Sequence, residues 1–91
     1  MTPEHKVKKK LKEWLSARGA YYFCPVQQGY GQTSVDFLCC RNGEFWAIET
    51  KAGRNKLTAL QELTMQQMKR AGAQCWVVRL EKDELSWTEC G

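Results

Sequence analysis

The stretch "SVDFLCCRNGEFWAIETK", residues 34–51, decides how this chain folds. Two apolar runs flank Asn42-Gly43, a dipeptide that strongly favours the tight turn of a two-residue β-hairpin. If these two residues form the turn, the register of the hairpin follows by counting outward. The predicted cross-strand pairs are Arg41–Glu44, Cys40–Phe45, Cys39–Trp46, Leu38–Ala47, Phe37–Ile48 and Asp36–Glu49.

The last of these pairs sets two carboxylates against each other at the far end of an apolar hairpin. Like charges in that position destabilise a sheet. Directly opposed residues have Cβ atoms about 4.5–5.5 Å apart, so Asp36 and Glu49 can reach one small cation. Lys51 lies two residues past Glu49 and is predicted on the same face. Mg²⁺ accepts one or two carboxylates and keeps several waters. Two interpretations stay open: a cation site, or a salt-bridge cluster neutralised by Lys51 and nearby arginines.

Composition indicates one small globular domain spanning residues 1–91. Hydrophobic residues make up 43% of the 91-residue chain and charged residues 26%, the usual balance of such a domain. The chain has no transmembrane run and no secretory signal, so we expect an intracellular, cytoplasmic protein. Five cysteines without a C-x-x-C spacing predict reduced, mostly buried thiols. The net charge of +4, with a lysine cluster in residues 6–12, favours a polyanionic partner.

Helices are predicted on both sides of the hairpin. Thr2-Pro3 is typical of a helix start, and Gly19 of its end. The second helix is predicted to begin after Thr58 and to end at Gly72. Its expected buried stripe is Leu60, Leu63, Thr64, Met68 and Ala71.

Strands are predicted at residues 21–26 and 74–80. The first is expected at a sheet edge, because Pro25 cannot donate to a central ladder. The tail, residues 81–91, is ambiguous between a returning strand and a short helix.

Two helical residues add candidates to the carboxylate pair. Glu4 shares a stripe with the apolar Val7 and Leu11, the face expected to turn toward the sheet. An acid there is also explained by the helix dipole. Gln61 follows Thr58 by three residues, which is the spacing of a capping box; alternatively its amide lies near the cation. The exposed side of helix 1 is expected to carry Lys8, Lys9 and Lys12.

The chain resembles a known nuclease superfamily at these residues. Asp36, then the hairpin, then Glu49-Thr50-Lys51 forms the D…E-x-K pattern of PD-(D/E)XK nucleases. "LTALQ" at residues 57–61 and "VVR" at residues 77–79 are similar to motifs of its virus-type replication-repair nuclease (VRR-NUC) branch. The resemblance covers nearly the whole chain. It departs at Val35, where the family usually has proline, and in the short tail after Arg79.

The resemblance implies an α/β fold with a restriction-endonuclease-like α-β-β-β-α-β core, a mixed sheet flanked by helices. It also implies hydrolysis of DNA phosphodiester bonds with Mg²⁺ or Mn²⁺. Asp36, Glu49 and the backbone carbonyl of Thr50 would bind the metal, and Lys51 would orient the attacking water. Glu4 would act through water, and Gln61 would be a further catalytic residue.

The same resemblance implies a homodimer that acts on branched DNA such as four-way junctions, in a bacterial or phage-infected cell. A symmetric junction needs two matched cuts, which a two-fold dimer provides. We predict DNA contacts at Arg54 and Lys56, on a loop with Gly53, and at Tyr30 and Lys9. No membrane partner and no organic cofactor are expected. The alternatives are a non-catalytic DNA-binding module with a structural acidic cluster, and a metal-binding regulatory subunit.

Overall fold

The computed structural model of the protein describes residues 2–26 and 35–90. Two helices and five strands follow one another in this part of the chain. Their bounds are α1 Pro3–Ala17, β1 Tyr21–Phe23, β2 Phe37–Arg41, β3 Glu44–Thr50, α2 Ala59–Arg70, β4 Gln74–Glu81 and β5 Glu84–Glu89. Neither helix is long and apolar enough to span a membrane, as far as the described residues are concerned.

Helix α1 forms where its caps and apolar spacing predict it. The Thr2 hydroxyl accepts a hydrogen bond from the His5 amide at 3.2 Å, and proline occupies the first turn. Val7, Leu11 and Leu15 recur at helical spacing and are at most 1% exposed. They pack on one side of the sheet, together with residues of β2, β3 and β4.

The β2–β3 hairpin confirms the register predicted from the turn. Asn42 and Gly43 have φ values of 52° and 80°, the left-handed backbone that a two-residue hairpin turn of this kind requires. All five pairs from Arg41–Glu44 to Phe37–Ile48 are present. Strand β2 begins at Phe37, so the sixth expected pair lies just beyond its end.

The sheet is mixed, with the strand order β1-β2-β3-β4-β5. Strands β3 and β4 are parallel, and α2 makes the crossover between them, as parallel neighbours require. All other neighbours are antiparallel. This arrangement confirms the predicted α/β core, with β3 at its centre and a helix on each face.

Helix α2 begins as predicted but buries a different stripe. Thr58 caps it, yet Leu60 and Leu63 are each 49% exposed and Met65 is the buried residue. The prediction was wrong for Leu60 and Leu63, because α2 packs mainly over β4, and it is confirmed in part for Met68, which is partly buried against the core under α2. Met65 meets Ala47 and Cys75 there, and the apolar residues on its other side contact less of the sheet.

The two ends of the sheet also refine the predictions. Strand β1 stops at Phe23, two residues before Pro25, and lies at the edge. The tail folds back as β5 through a turn at Lys82 and Asp83, whose φ values are 50° and 63°. The hairpin alternative is therefore confirmed. The five cysteines are free thiols as predicted, although only Cys39 and Cys75 are buried.

Candidate metal and nucleic-acid site

The C-terminal end of β3 carries the central part of the candidate site. Glu49 is 2% exposed and the Thr50 side chain is fully buried. Alternation along the strand sets Glu49 on the side of Ala47, which packs under α2. The Lys51 amide donates to the Val78 carbonyl at 3.0 Å, so the parallel ladder with β4 fixes the backbone at this point.

Asp36 lies immediately before β2 and is joined to β3 by reciprocal hydrogen bonds. Its backbone amide donates to Glu49 Oε1 at 2.9 Å. Its Oδ2 accepts from the Thr50 amide at 2.9 Å and from the Thr50 hydroxyl at 2.8 Å. Asp36 and Glu49 are thus joined by a hydrogen bond from the backbone of Asp36 to the side chain of Glu49. The Asp36 carboxylate lies against Thr50 rather than squarely facing Glu49, because the strand has not yet begun at Asp36.

The charge of Glu49 is disfavoured by its surroundings. Burial, followed by the nearby charge of Asp36, raises the pKa of the Glu49 carboxyl to about 7. The hydrogen bond from the Asp36 amide and the charge of Lys51 act in the opposite direction, and the charge of Glu4 adds to the increase. The structure therefore brings Glu4, Asp36 and Lys51 close enough to Glu49 to interact with it electrostatically.

A cation from helix α1 also reaches this cluster. Lys8 Nζ lies 3.8 Å from Asp36 Oδ1. The expectation that Lys8 points away from the site was wrong, because Lys8 follows the buried Val7 and flanks the stripe that packs on the sheet. Its spacing was the available signal: Lys8 lies four residues after Glu4 and three before Leu11, at the border of the buried stripe, whereas Lys9 and Lys12 are exposed.

Gln61 is engaged in the helix cap. The side-chain Oε1 of Gln61 accepts a hydrogen bond from the Thr58 backbone amide at 3.0 Å, and the Gln61 backbone amide donates to the Thr58 hydroxyl at 3.1 Å. The capping-box interpretation is therefore confirmed. Because the carbonyl oxygen of the side chain is used in this way, only the Nε2 group is left for a role in the site.

The donor set fits a hard divalent cation. Within residues 2–26 and 35–90, no group of three or more His, Cys, Asp or Glu side chains is arranged to hold a metal ion. Two carboxylates are nevertheless as many as Mg²⁺ ordinarily takes from a protein, the rest of its shell being water and substrate oxygen. A cation beside the two carboxylates would offset the charge of Asp36, which after burial is the second cause of the raised pKa of Glu49. Asp36 and Glu49 therefore fit the predicted metal by charge and chemistry.

The predicted DNA-contact residues lie around the loop after β3. Arg54 and Lys56 are exposed on this loop, and Lys9 is exposed on α1. Tyr30 lies outside the described residues. Lys56 also lines a cavity of about 730 Å³ between α2 and the β4–β5 hairpin.

Sequence reasoning gave no role to three other basic residues on that cavity. They are Lys69, Arg70 and Arg79, and two acidic residues, Glu62 and Glu89, also line the cavity. Arg79 Nη2 donates to the Asn55 carbonyl at 2.6 Å, so it holds the loop that carries Arg54 and Lys56. The position of Arg79 two residues past Val77, the partner of Glu49 in the parallel ladder, is the signal that could have identified it.

The comparisons with known proteins bear on the fold. No family model matches the chain, and no curated protein matches it. Among solved structures, the chain matches Hjc, a Holliday junction resolvase from the archaeal hyperthermophile Archaeoglobus fulgidus, with a TM-score of 0.77. The match covers 94% of this chain and 76% of the Hjc chain at 17% sequence identity. The chain has the Hjc fold.

That likeness gives the architecture an independent basis. The five-stranded mixed sheet with its two helices corresponds to the restriction-endonuclease-like core of Hjc. The sequence resemblance to PD-(D/E)XK nucleases predicted this core. At 17% identity the match to Hjc concerns the fold, so the assignment to the VRR-NUC branch stays a prediction.

Proposed function

We propose that this single-domain protein is a metal-dependent nuclease that cuts branched DNA, with four-way junctions as its preferred substrate. The observation that carries the proposal is the linked group of Asp36, Glu49, Thr50 and Lys51 at the end of β3. It lies on a fold shared with a Holliday junction resolvase. We further propose that the chain belongs to the VRR-NUC branch and acts inside the cell.

The proposed metal ligands are Asp36, Glu49 and the Thr50 backbone carbonyl. A bound Mg²⁺ or Mn²⁺ would polarise the phosphate and lower the pKa of a bound water. The Thr50 amide and hydroxyl hold Oδ2 of Asp36, which orients that carboxylate. Lys51, which lowers the pKa of Glu49, would offset charge on the scissile phosphate and orient the water. Glu4, whose charge adds to the raised pKa of Glu49, would act through a water.

The basic residues around the loop after β3 support DNA as the substrate. Arg54 and Lys56 lie only a few residues past Lys51. Lys56 shares the cavity beside α2 with Lys69, Arg70 and Arg79. We propose that a DNA strand leaves the site along this basic surface, since neutralising phosphates supplies most of the sequence-independent affinity for DNA.

An exposed aromatic surface supports a homodimer. Tyr21 is paired with Cys40, and Cys40 with Phe45, so these three side chains form a row across β1, β2 and β3. Tyr21 is 73% exposed, Phe23 58% and Phe45 46%. A patch of this kind marks an interaction surface, and a two-fold axis through it would present two active sites to a symmetric junction. Light scattering should give a dimer, Phe45→Glu should give a monomer, and Lys12→Glu on the opposite side should stay dimeric.

Cleavage of labelled DNA tests the proposal directly. Purified protein with Mg²⁺ or Mn²⁺ should cut a four-way junction faster than duplex, flap or single-stranded DNA, and EDTA should stop the reaction. Asp36→Asn and Glu49→Gln should abolish cleavage while the protein stays folded and binds DNA. The matched control is Glu13→Gln, an exposed acid on α1, which should cut like the wild type. A Glu49→Gln variant that cuts at a near wild-type rate would show that the two-carboxylate site is wrong.

The alternative is a non-catalytic DNA-binding module. The hydrogen bonds within the acidic group and the use of Gln61 in a helix cap are what such a module would need for structural reasons alone. The same assay separates the two functions. A wild-type protein that binds the junction but leaves it intact under every metal condition would favour the module.

A further inference from the structure

The two oxygens of the Asp36 carboxylate have different partners. Oδ2 accepts two hydrogen bonds from Thr50, at 2.8 and 2.9 Å. Oδ1 faces Lys8, whose Nζ is 3.8 Å away. The side chain of Asp36 is 17% exposed and that of Lys8 is 35% exposed. Oδ1 is therefore the oxygen that is left for a metal ion, and a protein cation already faces it.

This ion pair is unusual for the chain. The sequence has 14 Lys and Arg and 10 Asp and Glu residues. Among the residues that the structure describes, Lys8 and Asp36 form the only pair of opposite charges within 4.0 Å. It joins α1 to the residue before β2, so it depends on the tertiary fold rather than on spacing within a helix.

Lys8 and a divalent cation would compete for the same position. A metal held by Asp36 and Glu49 brings two positive charges to the oxygen that Lys8 faces. Two cations near one carboxylate repel each other, and the long lysine side chain, already one-third exposed, can turn into solvent with little hindrance. The counter-ion is thus movable, whereas the Thr50 donors on the other oxygen are fixed by the sheet.

We propose that Lys8 is a built-in counter-ion of Asp36, which a divalent cation displaces and which thereby sets the metal affinity of the site. This inference rests on the proposed function, because it assumes that Asp36 binds metal. It makes Lys8 a positioning residue with two effects of opposite sign. Lys8 stabilises the protein in the absence of metal, and it weakens metal binding.

The test compares Lys8→Met with Lys9→Met. Methionine keeps most of the apolar stem and removes the charge, and Lys9 is an exposed neighbour on α1, so both variants change the net charge equally. Mn²⁺ binding is measured by calorimetry, and unfolding is followed by thermal melts in EDTA and in Mn²⁺. Relative to Lys9→Met, Lys8→Met should bind Mn²⁺ about fivefold more tightly, the factor expected for removing one part-buried ion pair. It should melt at a lower temperature in EDTA.

The possible outcomes separate this inference from the proposed function. Equal Mn²⁺ affinity in the two variants overturns the counter-ion role while cleavage by the wild type still supports the nuclease. Weaker Mn²⁺ binding by Lys8→Met also overturns it, because Lys8 would then only hold Asp36 in place. A wild-type protein that neither binds Mn²⁺ nor cleaves DNA overturns both. Lys8→Gln is the second variant should Lys8→Met not fold, and Lys8→Arg should restore the wild-type affinity.

Discussion

The two helices cover the two faces of the sheet very differently. Helix α1 buries Val7, Leu11 and Leu15 to 1% exposure or less. Helix α2 buries Met65, whereas Leu60 and Leu63 remain half exposed. The α1 face therefore supplies the larger part of the core, and the α2 face supplies a smaller one and leaves one side of its helix exposed.

The candidate site lies on the face of the sheet that α2 covers. Glu49 shares its side of β3 with Ala47, under α2, and the basic cavity lies between α2 and the β4–β5 hairpin. The exposed side of α2 and the basic cavity beside it are the parts of this face that remain accessible to a partner.

The largest expected effect tests this difference in burial by truncating one leucine on each helix. Leu11→Ala removes a fully buried side chain and should lower the free energy of unfolding by about 2–5 kcal/mol. Leu63→Ala makes the same chemical change at a half-exposed position and should lower it by about 0.5 kcal/mol or less. Urea denaturation measures both. Equal losses would mean that α2 is packed against something in solution, such as a second copy of the chain.

The hairpin register and the buried side of α1 were predictable from the sequence, whereas the buried side of α2 was predictable only in part. The hairpin register followed from Asn42-Gly43, because a two-residue turn fixes the pairing locally. The α1 stripe followed from its spacing, because a full-length amphipathic helix has one face to bury. The buried side of α2 was not predictable in full, since Leu60 and Leu63 have helical spacing yet remain 49% exposed. Tertiary packing, not periodicity, selected Met65.

The candidate site shows the same limit. That Asp36 and Glu49 lie close together was predictable from the turn, whereas the hydrogen bonds that link Asp36 to Glu49 and Thr50 were not, because they depend on where β2 begins. Lys8 was assigned to solvent since its neighbours on α1 are solvated lysines. Its pairing with Asp36 joins α1 to the residue before β2, a tertiary contact whose partner the helical pattern does not name.

The second prediction concerns Glu49, which lies under α2, and the pH dependence of the free energy of unfolding. The pKa of Glu49 is raised from 4.5 to about 7 in the folded protein, so the folded state holds a proton that the unfolded chain releases between these values. The free energy of unfolding should therefore decrease as the pH rises from about 4.5 to 7, by up to about 3 kcal/mol.

Glu49→Gln isolates this effect, because glutamine resembles the protonated acid and keeps an acceptor for the Asp36 amide. Urea melts in EDTA across this pH range should show the decrease in the wild type and a flatter profile in the variant. Parallel profiles would mean that ionisation of Glu49 does not destabilise the folded protein. The electrostatic basis for a cation beside Glu49 would then be lost.

The third prediction asks which face DNA touches. We expect the double variant Arg54→Ala with Lys56→Ala, on the loop before α2, to weaken DNA binding. The loss should be larger than that of Lys9→Ala with Lys12→Ala on α1. Each lost phosphate contact should reduce the slope of log affinity against log salt by about one unit. Titrations at several salt concentrations measure both quantities. A larger loss from the α1 pair would place the DNA on the other face of the protein.

The smallest expected effect separates the observed role of Gln61 in the α2 cap from its predicted role in the candidate site. Glutamate also closes a capping box from this position, so Gln61→Glu should change the free energy of unfolding by only a few tenths of a kcal/mol, whereas Gln61→Ala should lower it by about 1 kcal/mol. Because Oε1 is held by the Thr58 amide, a role in the site requires the Nε2 donor, which glutamate lacks. We therefore expect Gln61→Glu to keep the stability of the wild type and to cut DNA more slowly. Wild-type cleavage by Gln61→Glu, measured on the same junction substrate, would reduce Gln61 to a helix cap and confine the catalytic group to the strand ends.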